Sequence, residues 1–231
     1  MYRTEGMKLC LSQIRMYKRM LQSILKIGLP AGFEAIMYSI SNIIVQVSIN
    51  NFGVDTMAAW TAYSKIDFIF WMINSAFGIS VMTFVGQNYG AGKWDRIRRG
   101  TKICLGMALI SAVSVSIILM SAERFLFGIF VNDAGVVEIG IHMMNVIAPA
   151  YLLFAFIEVF SGALRAQGAV VVSTLITMVG ICVLRMIWVT LVAAHGTLEQ
   201  VIICYPITWA AGALAMSIYY IYKQRKIFQA R

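Results

Sequence analysis

Long apolar stretches alternate with short polar ones along the chain. Six of them, at residues 27–49, 68–91, 103–122, 139–159, 169–194 and 201–222, approach the roughly 20 residues that carry a helix across a bilayer. None alternates at every second residue as a barrel strand does, and hydrocarbon offers no water to an open backbone. The pattern therefore predicts an all-α, polytopic membrane protein of six transmembrane helices. Residues 1–26 stay basic throughout and lack the apolar centre of a cleavable leader. They read as a basic amphipathic cytoplasmic helix, with Leu9, Ile14, Tyr17, Leu21, Ile24 and Leu25 towards lipid. The expected organisation is that segment, a transmembrane lobe over 27–222, and a basic cytoplasmic tail over 223–231.

Composition agrees. Of 231 residues, 60% are hydrophobic and 13% charged, against roughly 25% charged in a soluble domain. Mean hydropathy is +0.79, so the formal charge of +9 has no polar surface on which to build a nucleic-acid groove. Its placement is informative instead. Sixteen of the 19 Lys and Arg residues fall before the first span, between the second and third, between the fourth and fifth, or after the sixth. The opposite loops carry only Lys65 and Arg124, and Arg185 lies inside a span. That asymmetry puts both termini in the cytoplasm of a plasma-membrane protein. Cys10, Cys104, Cys182 and Cys204 are too scattered for a disulfide framework and read as small apolar residues.

Ionisable groups within spans are expensive and mark candidate sites. Glu34 follows the helix-weakening Gly28-Leu29-Pro30-Ala31-Gly32, where it either exchanges a proton or cation or faces headgroups. Glu158 stands seven residues, two helical turns, before Arg165 and either couples to an ion or pairs at the interface. Arg185 must face the bundle interior, as a structural partner or an attractor of anions. Asp67 and Lys65 read as interfacial. Glu138 and His142 share a helix face, but two residues make no metal site. Ser39, Asn42, Gln46 and Asn50 form a polar stripe on the first span, either a cavity wall or an interhelical hydrogen-bonding face. Pro149 and Pro206 predict bends in the fourth and sixth spans.

Phe84-Val85-Gly86-Gln87-Asn88-Tyr89-Gly90-Ala91-Gly92-Lys93, followed by Arg96, resembles the motif closing the second helix of a lobe in the multidrug and toxic compound extrusion (MATE) transporters. Leu25 to Gly32, Ala58-Ala59-Trp60, Ser161 to Gly168 and Tyr205-Pro206-Ile207-Thr208-Trp209 agree in order, in the form of the family's C-terminal lobe. The resemblance implies one six-helix half of a twelve-span exporter of cationic or amphipathic compounds, driven by protons or sodium. It implies a small-molecule substrate, a second lobe (another copy or a separate chain), a lipid bilayer around both, and no cofactor beyond the coupling ion. It makes Pro30, Gly86, Gln87, Asn88, Gly90, Pro149, Arg165 and Pro206 motif or hinge positions. Where some branches carry a coupling aspartate, this chain has Phe154. A non-transporting lobe and a flippase for lipid-linked precursors are the alternatives; no enzyme motif is present.

The orientation is testable. In a background lacking native cysteines, single cysteines at Asp55, Asp133 and Thr197 should react with an impermeant thiol reagent added outside intact cells. Outside labelling at Lys93 or Arg225 would refute it.

Overall fold

A computed structural model describes residues 15, 17–192 and 196–229; Arg3, Lys8, Leu9, Cys10, Ile14 and Arg231 lie outside them. The described residues form helices joined by short turns, with no strand among them. The first three spans are single helices: α1 (Lys18–Asn50), α2 (Val54–Gly90) and α3 (Trp94–Ser121). A short α4 (Glu123–Phe130) leads to the fourth span, built from α5 (Ala134–Ile147), a 3-10 turn (Ala148–Ala150) and α6 (Tyr151–Ala166). The fifth span joins α7 (Val170–Thr177) to α8 (Leu184–Leu191) through a π-helical segment, Met178–Val183. The sixth is α9 (Leu198–Ile202) followed by α10 (Cys204–Gln229). Six of these stretches are long and apolar enough to cross a membrane. The large apolar side chains on their outer faces, such as Ile110, Ile117, Leu175 and Ile218, are exposed as lipid would require.

The helices depart from the hydropathy spans where polar residues fall. α1 runs unbroken across residue 27 with Pro30 inside it, and α2 begins at Val54 rather than 68. At 37 residues, α2 is about 55 Å long. Its first half carries Thr56, Trp60, Tyr63, Ser64 and Asp67, whose polarity hides the span from a hydropathy window. Pro149 sits in the 3-10 turn that divides the fourth span. Pro206 lies in the first turn of α10, where its missing N–H costs no helical bond.

The motif at the end of α2 is a helix stop. Lys93 N donates to Asn88 O at 2.9 Å and Gly92 N to Tyr89 O at 3.1 Å, with Gly92 left-handed at φ 67°. Asn88 Nδ2 turns back to Phe84 O at 2.8 Å, while Gln87 and Gly90 are exposed. α6 stops in the same way: Ala169 N meets Leu164 O at 2.9 Å, with Gly168 at φ 78°. At this basic end, the Gln167 carbonyl and side chain accept from Lys223 and Gln224 of α10 at 2.9 and 3.1 Å. At the opposite end Asp133 caps α5, accepting from Gly135 N at 2.8 Å. There Arg124 also pairs with Glu138 at 2.6 Å, which answers the charge of Glu138 beside exposed His142.

The core lies between α2 and α6, which run parallel. They close to backbone distance at two glycines: a Cβ on Gly162 would fall 2.7 Å from the Gly78 carbonyl oxygen and 2.9 Å from Val81 Cγ1. Neither neighbour is a flexible chain end, so Gly162→Val must push the helices apart. It should lower stability by about 1–3 kcal/mol, read as a fall in thermal midpoint in detergent. Gly106→Val, into open space, should leave the midpoint unchanged.

Candidate functional site

Two polar assemblies interrupt the apolar interior, and α1 contributes to both. The first joins α1, α6 and α7. Arg165 Nη2 lies 2.7 Å from Glu34 Oε1 and 2.8 Å from Oε2, and Thr174 Oγ1 donates to Oε2 at 2.9 Å. Both charged side chains are largely withdrawn from the surface, with 28% exposure for Arg165 and 13% for Glu34. Glu158 stands on α6 close enough to feel both charges, its carboxylate occupying the space a side chain on Gly78 would need. Arg165 thus gives its hydrogen bonds to Glu34, 131 residues away, and not to Glu158 on its own helix. Ser161 and Ser173 join α6 to α7 beside it at 3.0 Å.

The second assembly is a cleft of about 460 Å³. Tyr38, Asn42 and Gln46 of α1 form one wall; Trp60, Tyr63, Ser64, Asp67, Phe68 and Trp71 of α2 form another; Tyr205 and Trp209 of α10 close it. Its rim, Asn42, Ser64 and Phe68, is exposed. Asp67 is not interfacial. It is 9% exposed and accepts from the Tyr151 hydroxyl on one oxygen and from Trp71 Nε1 on the other, at 2.5 Å. Tyr151 is held in turn by a stack on Phe70, 3.9 Å between centroids, and by contact with the Tyr63 hydroxyl at 3.3 Å. Phe154 packs edge-on against Trp71 at 4.6 Å and Trp209 at 5.4 Å.

Arg185 lies behind this cleft with no exposed surface. Its Nη1 donates to Asn42 Oδ1 at 3.1 Å, and its guanidinium sits 4.2 Å from the Tyr205 ring centroid and 5.7 Å from that of Tyr38. The polar stripe of α1 therefore divides. Asn42 and Gln46 line the cleft; Asn50 accepts from Gln46 Nε2 at 2.8 Å; Ser39 turns to its own backbone at Ala35. Sequence reasoning missed Asp67, Trp60, Trp71 and Tyr205. The signal available was the five-residue run of polar and aromatic positions ahead of residue 68, at helical rather than loop spacing.

Six helices long and apolar enough to cross a membrane, three of them lining a polar, aromatic cleft, define a polytopic membrane protein. The MatE family model matches residues 30–191, and the chain belongs to that family. It is 25% identical over 219 residues to the probable multidrug resistance protein YoeA of Bacillus subtilis, covering 93% of this chain and 47% of that one. It is 22% identical over 158 residues to human multidrug and toxin extrusion protein 1, covering 66% and 28% of the two chains. Among solved structures, an outward-facing multidrug resistance MATE transporter superposes with a TM-score of 0.87 at 16% identity, over 98% of this chain and 51% of that one. An inward-facing MATE transporter superposes at 0.80 and 16% identity, over 98% and 53%. The chain spans about half the length of the bacterial relative and of both transporters.

The ion pair should be measurable by a double-mutant cycle. Glu34→Gln, Arg165→Gln and the double variant should give a coupling energy of about 1–2 kcal/mol, as for a charge-assisted contact at partial exposure. Additive losses in denaturant midpoints would show that the pair contributes no mutual stabilisation.

Proposed function

We propose that this chain is one half of a cation-coupled exporter of drugs or other cationic and amphipathic compounds, working in the plasma membrane with both termini cytoplasmic. A second six-helix lobe, another copy or a separately encoded chain, completes it. An even number of spans gives two copies the same orientation, so an axis along the membrane normal can relate them. The observation that carries the reading is the cleft: aromatic walls take an amphipathic body, and Asp67 supplies a buried carboxylate with no cationic partner among the described residues. A lipid-surrounded acid of this kind is a functional group by default.

Coupling is assigned to the assembly below the cleft. Arg165 bonds Glu34 and lies near Glu158 without bonding it, so the group holds two acids against one base at low dielectric. A proton or sodium ion balances it. Its arrival changes how firmly Arg165 holds Glu34, and Glu34 lies one turn before Tyr38 on α1. Loading the ion thereby favours a different packing of the helix that forms one cleft wall, and outward ion binding is linked to substrate release.

Efflux from vesicles under an imposed proton or sodium gradient tests this. Glu34→Gln and Glu158→Gln should each insert normally, bind substrate, and lose about tenfold or more of gradient-driven export. Undiminished efflux from both variants would exclude this cluster as the coupling site.

A further inference from the structure

The basic end of the bundle carries a surface feature that the cleft does not use. α3 and α10 both pack on α6, and between them lies a hollow of about 390 Å³. Its walls are Arg98 and Lys102 of α3 and Tyr220, Ile221, Gln224 and Arg225 of α10. Arg98 and Lys102 stand one turn apart on the same helix face. They also line an adjoining hollow with Arg96 and Arg99, where Asp95 is set against the four bases. The α10 side has no acid to offer, since none follows Glu199 in the sequence. Among the described residues no carboxylate lies within 4.0 Å of Lys102 or Arg225. Three exposed cations from two helices thus converge on one hollow whose walls hold no acid.

The α10 wall is fixed from behind. Tyr220 stacks on Phe160 of α6, 4.5 Å between centroids and 17° between planes, and Gln224 Nε2 donates to Gln167 Oε1 at 3.1 Å. Away from the basic end the exposed side chains turn apolar. Ile103, Met107 and Ile110 recur along one face of α3, and Leu214, Ile218 and Ile221 along one face of α10. Ile103 and Ile221 border the basic residues directly. A soluble anion would answer the cations and ignore the apolar strips, whereas a neutral lipid would cover the strips and leave the cations unanswered. We propose that this groove is a site for an anionic phospholipid, with its phosphate between Arg98, Lys102 and Arg225 and its acyl chains along the apolar strips of α3 and α10. The site is separate from the cleft and needs only that α3 and α10 border a bilayer. The orientation proposed above puts it in the cytoplasmic leaflet, where basic groups beside a span are drawn to anionic headgroups. Arg98 can meet a phosphate through two N–H groups, and Lys102 adds a point charge. The bound lipid would bridge two spans that α6 otherwise joins.

Competition between two lipids on the purified full chain reads the preference. Equimolar phosphatidylglycerol and phosphatidylcholine with identical acyl chains are added in detergent, and the lipid retained on the protein is counted by native mass spectrometry. The native chain should retain phosphatidylglycerol about fivefold or more over phosphatidylcholine. Lys102→Gln and Arg225→Gln should each lower that ratio about twofold or more, and together bring it close to one, while Lys102→Arg and Arg225→Lys should keep it. Lys93→Gln combined with Lys226→Gln removes two charges from the same end without touching the walls of either hollow, and should leave the ratio unchanged. Phosphatidylglycerol should also raise the thermal midpoint of the native chain and not that of the Lys102→Gln, Arg225→Gln double variant. Equal retention of the two lipids by the native chain would overturn the assignment. An equal fall in the Lys93→Gln, Lys226→Gln variant would reduce the preference to diffuse charge and overturn the site also. Displacement of the lipid by millimolar inorganic phosphate at fixed ionic strength would make a soluble anion the occupant and overturn the lipid assignment.

Discussion

The close approach of α2 and α6 at Gly78 and Gly162 is the constraint on which both polar assemblies depend. In lipid no hydrophobic force draws one helix to another, so packing contacts and hydrogen bonds must do so, and small residues let backbones meet. Because the two helices run parallel in contact, each level of the seam has its own chemistry. Near the acidic end Tyr151 meets Asp67 and Phe70; lower down Glu158 fills the space over Gly78; towards the basic end Gly86 faces Ala166. Widening the seam by one side chain would separate Asp67 from its hydroxyl donor and Glu158 from its niche together.

The hydrocarbon environment explains why the remaining polar groups sit where they do. A lone charge facing lipid is expensive, and Glu34, Asp67, Glu158, Arg165 and Arg185 are all turned towards the bundle interior. They have not been drawn into one network. Glu34, Glu158 and Arg165 gather towards the basic end, while Asp67 and Arg185 stand apart around the cleft. In the first grouping Arg165 answers one of the two acids. The second is more open, a cleft lined by Tyr38, Asn42, Gln46 and Asp67 among aromatic side chains, and that difference is the basis for proposing a ligand there.

Much of this was legible in the sequence because its cause is local. Hydropathy runs give the spans, basic residues give their alternation, and the Gly-Gln-Asn-Tyr-Gly-Ala-Gly stretch encodes a helix stop whose hydrogen bonds span only five residues. The α1 residues were found for the same reason, since a helical stripe repeats every three or four positions. What periodicity could not supply were pairings across the bundle. Glu34 meets Arg165 over 131 positions and Asn42 meets Arg185 over 143. Nothing in either local pattern marks those partners, and the two-turn spacing of Glu158 and Arg165 pointed to a nearer one. Asp67 was misplaced because cleft-facing polar residues lower the hydropathy of the very helix that carries them, so the start of α2 reads as a loop.

The position of α1 follows from the same balance. Its membrane-crossing window is 17% buried, against 67% for the span formed by α5 and α6, so apolar packing holds it least. Beside the buried Val45 and Ile49, its side-chain ties to the bundle include polar ones: Glu34 to Arg165 and Thr174, and Asn42 to Arg185. A helix held by packing moves only at the cost of opening a void, whereas one held by charges moves when a charge is gained or lost. In α1 the two kinds of tie are spaced eight residues apart on one face, the first to the acid cluster and the second to the cleft. The acid cluster at Glu34 and the cleft wall at Asn42 therefore belong to one helix. A shift of that helix at either place bears on the other, and the coupled exchange proposed above requires a shared element of this kind.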